Sequence, residues 1–597
     1  MLHKLFEKTT ALHKDKPALY LGSQVMTYEQ LNSKSNQLAH ELIKNGALCG
    51  DRVAILMDRS FEMIISILAT LKSGCAYVPV DPEYPTSLIE YLIRDCSPET
   101  ILTKSKITPH KQTYGTAKKV YVDEINETNI CNPDLHINDN AMAYIIYTSG
   151  SGGDPKGVMV GHENVTGLLN AVCINFVPSD VWTLFHSISF DFSVWELFGA
   201  ILSGGGLVIV PDDIRQNFRK FRRLLIESNV TVLNQTPSAF YSLQAEELKH
   251  DSNELSLKYI IFGGEKLNPV YLKEWRDRYQ ETKLINMYGI TETTVHTTYK
   301  ELKDEDLISN TSNIGQALPH LKIHLLDENL NPVPAGETGE IFIEGIGLAK
   351  GYINNPELTK KKFFKIKHIS NNMLYRSGDF GRHLFNGDIE YVGREDNQVK
   401  IRGHRIELEE IETHINRCDG IMQSIVTAFD INETDKALKA FYVSDATIDF
   451  KKILDSLAAK LPHYMLPVSF TRVENFALTV NGKIDRKKVL DCLEVKTEDT
   501  SSHIAAFDNL TCTQKRIFQV IVSILNENFL ENISIHSTLA NCFDSITFIK
   551  VVVTLEVEFN FQFEDEMLIM TKFPIMKTLV EYVESKIISN CPLRQIH

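Results

Sequence analysis

The sequence lacks the features of several protein classes. Its ten cysteines lie scattered from Cys49 to Cys591 without a Cys-x-x-Cys pair, so neither a disulfide framework nor a structural zinc site is expected. The net charge of −15 and the absence of a basic tract argue against a nucleic-acid surface. The apolar runs at residues 63–71 and 194–211 are short or interrupted, and the charged N-terminal stretch contains no signal-peptide core. We therefore expect a cytoplasmic protein without a membrane span.

Short apolar runs alternate with amphipathic segments through residue 395, a pattern typical of strands and crossover helices. Residues 143–147, 207–210 and 259–262 are predicted to be buried strands. The prediction for residues 1–395 is a large α/β subdomain with mixed sheets and helices. At 597 residues the chain should hold several domains.

The segment after residue 395 changes character. An alternating run through Val399 and Ile401 leads into a predicted helix with Leu408, Ile411 and Ile415 on one face. We assign residues 396–490 to a small, mobile α+β subdomain. The polar residues 491–508 are predicted to be a linker.

Apolar residues at helical spacing return beyond the linker. The pattern predicts a small helical bundle, assigned as a carrier domain at residues 509–590. The expected fold class is thus a multidomain combination of α/β and α+β units followed by a bundle. The helical residues are Ile517, Val520, Ile521, Ile524 and Leu525, with further segments around Ile549, Val553, Leu579 and Val583.

A loop rich in glycine and hydroxyl groups, YTSGSGGDPKG at residues 147–157, directly follows a predicted strand. Its glycines would let several backbone N–H groups face a polyphosphate together, and Lys156 would add positive charge. The spacing matches neither the common P-loop nor the G-x-G-x-x-G motif. Taken alone, the loop could equally be a surface turn.

Further motifs follow in order and give the loop its context. They are MTYEQL (26–31), LKSGCAYVPVDP (71–82), FDFSVWELFGA (190–200), NMYGITETT (286–294), GEIFIEGIGLAKGY (339–352), YRSGD (375–379), GREDNQVKIRGHRIELEEIE (393–412), LPHYMLP (461–467) and NGKIDR (481–486). Together they span nearly all of residues 1–490. The chain resembles the adenylate-forming superfamily, and within it the adenylation domains of nonribosomal peptide synthetases.

The resemblance implies roles in carboxylate activation by ATP. Lys483 would contact the substrate carboxylate and the ribose, and Glu292 would bind Mg²⁺, which prefers oxygen ligands. Asp379 would accept hydrogen bonds from the ribose hydroxyls, assisted by Arg394. The remaining ATP-binding positions implied are Thr148, Ser149, Gly150, Ser151, Gly152, Gly153, Lys156, Asn286, Tyr288, Gly289 and Thr291.

Asp191 matches the aspartate that binds the α-ammonium group of amino acids in this family. A buried carboxylate of this kind is costly unless its cation is present, which favours an amino acid over a fatty acid. The pocket pattern resembles that of threonine-activating domains, with serine or a modified hydroxy amino acid as alternatives. The matched pocket positions are Phe192, Trp195, Asn234, Ile261, Gly263, Met287, Val295 and His296.

The segment NCFDSI at residues 541–546 resembles the attachment motif of carrier domains. Ser545 would carry 4′-phosphopantetheine, placed there by a phosphopantetheinyl transferase, and its thiol would receive the activated amino acid. Asp396 matches the hinge about which the small subdomain rotates, and Gly403 is expected in the loop that then faces the substrate. The expected outside partners are a condensation or tailoring enzyme acting in trans and a small accessory activator protein.

Four positions depart from the family pattern. Gly152 and Asp154 stand where threonine and lysine are usual in the phosphate loop, Ile290 replaces a common proline, and Glu409 a common glycine. Two alternatives stay open: an acyl- or aryl-acid ligase that uses coenzyme A, and a degenerate carrier scaffold, which Gly152 motivates. A tRNA-charging enzyme is disfavoured, because HIGH and KMSKS signatures are absent from the sequence.

Overall fold

The chain divides into two compact units, Met1–Phe476 and Ala477–His597. The computed structural model describes residues 1–107, 117–138, 140–150, 154–215, 217–394, 398–401, 403–432, 435–444, 448, 450–473 and 476 of the first unit. In the second unit it describes residues 513, 514, 517, 520, 521, 551, 552, 555, 559, 563, 572, 573 and 575–589.

Some helices of the first unit begin at side-chain caps. Thr27 and Gln30 form a reciprocal capping box that begins α2, and Ser60 accepts the N–H of Met63 to begin α3. The helices are α1 (Leu2–His13), α2 (Tyr28–Lys44), α3 (Phe61–Lys72), α4 (Thr86–Cys96), α5 (His162–Ala171), α6 (Phe192–Leu202), α7 (Asp212–Arg215), α8 (Phe218–Glu227), α9 (Pro237–Glu247), α10 (Lys273–Arg278), α11 (Pro356–Lys362), α12 (Leu408–Asn416) and α13 (Phe450–Ala458).

The strands follow the apolar runs of the sequence. They are β1 (Pro17–Leu21), β2 (Gln24–Thr27), β3 (Arg52–Leu56), β4 (Ala76–Val80), β5 (Thr100–Thr103), β6 (Lys118–Tyr121), β7 (Met142–Thr148), β8 (Lys156–Gly161), β9 (Val181–Leu184), β10 (Gly206–Ile209), β11 (Val232–Gln235), β12 (Tyr259–Phe262), β13 (Lys283–Asn286), β14 (Thr298–Glu301), β15 (Asn313–Ala317), β16 (Leu321–Leu326), β17 (Thr338–Gly345), β18 (Gly351–Tyr352), β19 (Phe363–Phe364), β20 (Leu374–His383), β21 (Ile389–Arg394), β22 (Gln398–Ile401), β23 (His404–Glu407), β24 (Ile421–Asn432), β25 (Asp435–Ser444) and β26 (Ser469–Arg472).

Two sheets build the part of the first unit before residue 395. The described strands of the larger sheet run in the order β16-β17-β20-β21-β15-β14-β13-β12-β11-β9-β10-β1-β2, and β19 pairs with β20. The second sheet has the order β18-β8-β7-β4-β3-β5-β6. The strands predicted at residues 143–147, 207–210 and 259–262 are present as β7, β10 and β12. The predicted mixed α/β architecture is confirmed for this part of the chain.

Strands β9 and β11 to β13 are parallel and pair in register. Asn234 lies beside Ile261, which lies beside Ile285, so the carboxyl ends of β11, β12 and β13 meet at one edge. Ligands of open α/β sheets bind at this kind of edge.

Residues 398–472 form smaller elements. Strands β22 and β23 make a hairpin, and β24, β25 and β26 make a separate sheet. The predicted helix is α12, and its Leu408, Ile411 and Ile415 are all buried. The α+β character predicted after residue 395 is present in the described residues.

The described residues of the second unit share one apolar cluster. Helix α14 (Met576–Ser589) contributes Leu579, Val580 and Val583, which pack with Ile517 and Ile521. Ile524, Leu525, Ile549, Val553, the linker 491–508 and the boundary at residue 490 lie outside the described residues. The carrier bundle therefore stays a prediction. None of the helices in the described part of the chain combines the length and apolar composition that crossing a bilayer requires.

Candidate active site

The residues predicted to form the amino-acid pocket lie together at the carboxyl edge of β11 to β13. Phe192 and Trp195 lie in the first turn of α6, directly after Asp191. The whole set is buried, and the ring centroids of Phe192 and Trp195 lie 5.1 and 5.3 Å from that of His296. A Cβ at Gly263 would lie 3.2 Å from His296 Cε1, so the pocket has no room for a side chain there.

Several polar atoms of this pocket have no hydrogen-bond partner in the part of the chain that the structure describes. The indole N–H of Trp195 donates to Oδ1 of Asn234 at 2.9 Å, which fixes the orientation of the amide. Nδ2 of Asn234, both ring nitrogens of His296 and Oδ2 of Asp191 have no hydrogen bond among the described residues. Buried polar groups are normally paired, so these atoms mark a place for a polar ligand.

Asp191 lies at the start of α6 and is 5% exposed. Burial raises the pKa of its carboxyl to about 6, although a hydrogen bond with the Thr291 side chain acts in the opposite direction. A cationic ligand would therefore meet a carboxylate that loses its proton readily near neutral pH.

A cavity of about 30 Å³ is lined both by residues of this pocket and by Gly289 and Thr291, which are predicted to bind ATP. Asp191, Phe192 and His296 line one side of the cavity, and Lys400, Gly403 and Arg405 line the other. Lys400 and Arg405 are cross-strand partners in the hairpin β22–β23, so both side chains leave the same face of the hairpin.

The described part of the phosphate loop is bound by residues 405–410. Ser149 Oγ donates to the carbonyl oxygen of Arg405 at 2.6 Å, and the Gly150 N–H donates to Glu410 at 3.3 Å. Thr148 ends β7, and its hydroxyl is buried without a partner among the described residues. Ser151, Gly152 and Gly153 lie outside the described residues.

Glu292 is fully buried and has three partners. Arg405 Nη1 and Tyr352 OH each donate to its carboxylate at 2.8 Å, and Lys156 Nζ lies 3.7 Å away. Burial opposes ionisation, but Arg405 and Lys156 outweigh it and hold the pKa of Glu292 well below its usual range. Burial also lowers the pKa of Lys156 to about 8.

Asp379 is likewise buried and bonded. Its carboxylate accepts from Tyr288 OH at 2.7 Å, from Arg394 Nη1 at 2.9 Å and from Tyr391 OH at 3.2 Å. Asn286 Nδ2 donates to the backbone oxygen of Asn313 at 2.8 Å. Gly289 packs against residues 295 and 296, where a Cβ would lie 1.9 Å from the oxygen of Val295.

The donor set suits a magnesium nucleotide. Mg²⁺ in nucleotide sites takes one or two carboxylates and completes its shell with phosphate oxygens and water. Glu292 offers such a carboxylate, and the unpartnered Thr148 hydroxyl can donate to phosphate. The described residues contain no group of three or more His, Cys, Asp or Glu side chains arranged to hold a metal.

Sequence reasoning assigned no role to Lys400, Arg405, Glu410 or Glu265, although the first three stand in a quoted motif. The basic residues that alternate with the apolar ones in the run through Val399 and Ile401 were the available signal. Besides Ser151, Gly152 and Gly153, the predicted residues Asp396, Lys483 and Ser545 lie outside the described residues. Gly403 lines the cavity, at the tip of the hairpin.

Comparison with known proteins gives a consistent result. Residues 6–353 match the family model described as AMP-binding enzyme. A dimodular nonribosomal peptide synthase of Bacillus subtilis (strain 168) is 42% identical over 507 residues, which cover 81% of this chain and 21% of that protein. Syringomycin synthase SyrB1 of Pseudomonas syringae pv. syringae is 37% identical over 503 residues, covering 82% of this chain and 81% of that protein.

A solved structure of an NRPS protein containing adenylation and PCP domains, bound to a vinylsulfonamide inhibitor, has the same fold. Its TM-score is 0.81 at 24% identity, and the match covers 98% of this chain and 96% of that one. The chain spans only a small part of several longer relatives, 21% of the dimodular synthase and 7% of malpinin synthetase of Mortierella alpina, which is 40% identical over 514 residues.

Proposed function

The chain belongs to the family of AMP-binding, adenylate-forming enzymes, and from that premise we propose that it activates L-threonine and loads it onto its own carrier domain. The observation that carries the proposal is the set of unpartnered polar atoms in the buried pocket, Asp191 Oδ2, Asn234 Nδ2 and the ring nitrogens of His296. A carboxylate and two groups able to bind a hydroxyl, all buried in the same part of the fold, suit a hydroxy amino acid.

In the first half-reaction the Asp191 carboxylate would bind the α-ammonium group. Asn234 Nδ2 would donate to the side-chain hydroxyl, and His296 would complete its pairing. The substrate carboxylate then attacks the α-phosphorus of ATP and pyrophosphate leaves. Mg²⁺, when bound at Glu292, supplies charge neutralisation for the phosphates. Lys483 would neutralise the charge that builds up at phosphorus, as the resemblance implies.

In the second half-reaction the phosphopantetheine thiol on Ser545 would lose its proton and attack the acyl carbon. A thioester forms and AMP leaves. A phosphopantetheinyl transferase must first modify Ser545, and a condensation or tailoring enzyme would take the amino acid in trans. A small accessory protein remains a proposed partner.

Amino-acid-dependent exchange of pyrophosphate into ATP tests the first half-reaction. We expect exchange with threonine and at least roughly 100-fold less with valine, because an unpaired buried polar group costs about 1–3 kcal/mol and valine lacks the hydroxyl that would pair the groups of this site. Exchange with an aryl or fatty acid alone would favour the coenzyme A ligase, and no exchange with any acid would favour the degenerate scaffold.

Intact mass of the pantetheinylated chain tests the second half-reaction. After incubation with ATP, Mg²⁺ and threonine, the mass should rise by one threonyl group. The variant Ser545→Ala should keep exchange and show no mass gain. A threonyl gain in that variant would contradict loading at Ser545.

A further inference from the structure

The hairpin β22–β23 closes one side of the cavity and contributes Lys400, Gly403 and Arg405 to its lining. Its tip, Gly403, has a φ of +81°, a conformation that glycine adopts without strain. The contacts that hold Gly403 in place therefore determine whether the hairpin covers the cavity.

The tip is held by Glu265, which follows β12. The Gly403 N–H donates to Glu265 Oε1 at 2.6 Å. The same carboxylate accepts from the N–H and the hydroxyl of Ser238, both at 3.1 Å. Ser238 lies in the first turn of α9, where exposed N–H groups favour a negative charge. Glu265 thus joins the large subdomain to the hairpin.

The packing around this bond is close. A Cβ at Gly403 would lie 2.6 Å from Cγ2 of Thr236, and a Cβ at Gly264 would lie 3.8 Å from Cα of Gly403. The two glycine backbones therefore approach each other directly beside Glu265. A side chain at position 403 would therefore displace the tip from this position.

The docked hairpin also binds the groups proposed for the nucleotide. Arg405 bonds to Glu292 through its side chain and to Ser149 through its carbonyl oxygen, and Glu410 accepts from Gly150. A triphosphate and its metal could use Glu292, Ser149 and Gly150 only after these bonds break. Docking therefore belongs to the step after pyrophosphate has left.

We propose that Glu265 is a positioning residue that docks the hairpin tip over the amino-acid pocket and serves thiol transfer, not activation. The assignment rests on the proposed two-step function. Within the described part of the chain, the hydrogen bonds of Glu265 go to Ser238 and Gly403 and not to the residues proposed to bind the amino acid or the nucleotide, so its loss should leave activation intact. A carboxylate that accepts a buried N–H contributes an amount equal to roughly a 10- to 100-fold change in an equilibrium.

The test compares Glu265→Ala with Glu265→Gln, which keeps an acceptor oxygen, and with Glu274→Ala, an exposed control on α10. Hydrogen exchange at residues 398–407 should accelerate roughly 10- to 100-fold in Glu265→Ala. It should change less in Glu265→Gln and not in Glu274→Ala.

In the pantetheinylated full chain, threonine loading by Glu265→Ala should slow by a similar factor, while pyrophosphate exchange stays within about twofold of the unmodified chain. Unchanged hydrogen exchange in the hairpin would overturn the assignment. So would a pyrophosphate-exchange activity that falls by the same factor as threonine loading. If the unsubstituted chain activates no amino acid, the proposed function fails, but hydrogen exchange still decides whether Glu265 docks the hairpin.

Discussion

The amino-acid pocket and the nucleotide side of the site differ in how many protein partners their polar groups have. In the pocket, Asp191, Asn234 and His296 each keep an atom without a partner in the described part of the chain. On the nucleotide side, Glu292 and Asp379 are each held by three protein groups. The pocket is thus prepared for a ligand, whereas the nucleotide side must exchange partners. Binding the amino acid should therefore break fewer hydrogen bonds than binding ATP.

The largest effect is expected from Asp191→Asn, which keeps the shape and removes the charge. An uncompensated buried ammonium costs about 3–5 kcal/mol, so kcat/KM for threonine in pyrophosphate exchange should fall roughly 10²- to 10³-fold. Calorimetric ATP affinity should not change. A threonine KM equal to that of the unsubstituted chain would show that the amino-acid pocket lies elsewhere.

The variant Glu292→Gln tests the nucleotide side of the site. It leaves the Arg405 guanidinium and the Lys156 ammonium without their anion, and it removes the proposed metal ligand. Exchange activity should fall roughly 100-fold, and the Mg²⁺ concentration for half-maximal activity should rise. The threonine KM should change little. An unaltered Mg²⁺ requirement would argue against a metal at this carboxylate.

The pH dependence of hairpin docking should be a smaller effect. Burial raises the pKa of Glu410 to about 8, with Glu407 and Asp154 adding to the rise and the Gly150 N–H and Lys156 opposing it. Docking therefore takes up a proton. Docking should be strongest at pH values below the ordinary pKa of a glutamate. It should weaken as the pH rises from there through about 8 and change little at higher pH.

Hydrogen exchange at residues 398–407, corrected for its intrinsic pH dependence, measures this effect. A loss of protection of roughly 50-fold is expected between pH 6 and pH 8, because Glu410 loses its proton in the docked state over this range. Glu410→Gln keeps an acceptor for the Gly150 N–H and should give a flat profile. Equal pH profiles for the two proteins would contradict the role of Glu410.

The smallest effect concerns the orientation of the pocket amide. Trp195→Phe removes the donor to Asn234 Oδ1, so the amide can turn its oxygen toward the substrate. Preference for threonine over valine should fall about fivefold, the equivalent of one ordinary hydrogen bond. Trp182→Phe is the matched control. The ring centroids of Trp182 and Trp195 are 5.8 Å apart, but the indole N–H of Trp182 has no partner among the described residues. An equal fall in both variants would assign the loss to packing.

The sequence predicted the pocket better than the contacts around it. Asn234, Ile261 and Met287 stand at or just after the ends of successive strands, so the strand pattern and the motifs were enough to bring them together. The pairing of Glu292 with Arg405 joins residues 113 positions apart, and it depends on where the hairpin docks. No local pattern specifies that placement. Nor could the burial that shifts the pKa of Glu410 be inferred from the residues beside it.

The bond between Trp195 and Asn234 has a consequence for changing the substrate. Replacing Asn234 by an apolar residue leaves the indole N–H buried without an acceptor, and replacing Trp195 alone leaves the amide free to rotate. Each single step is therefore penalised before a new preference can emerge. A library that varies both positions simultaneously should reach new amino acids that successive rounds of single substitution would discard.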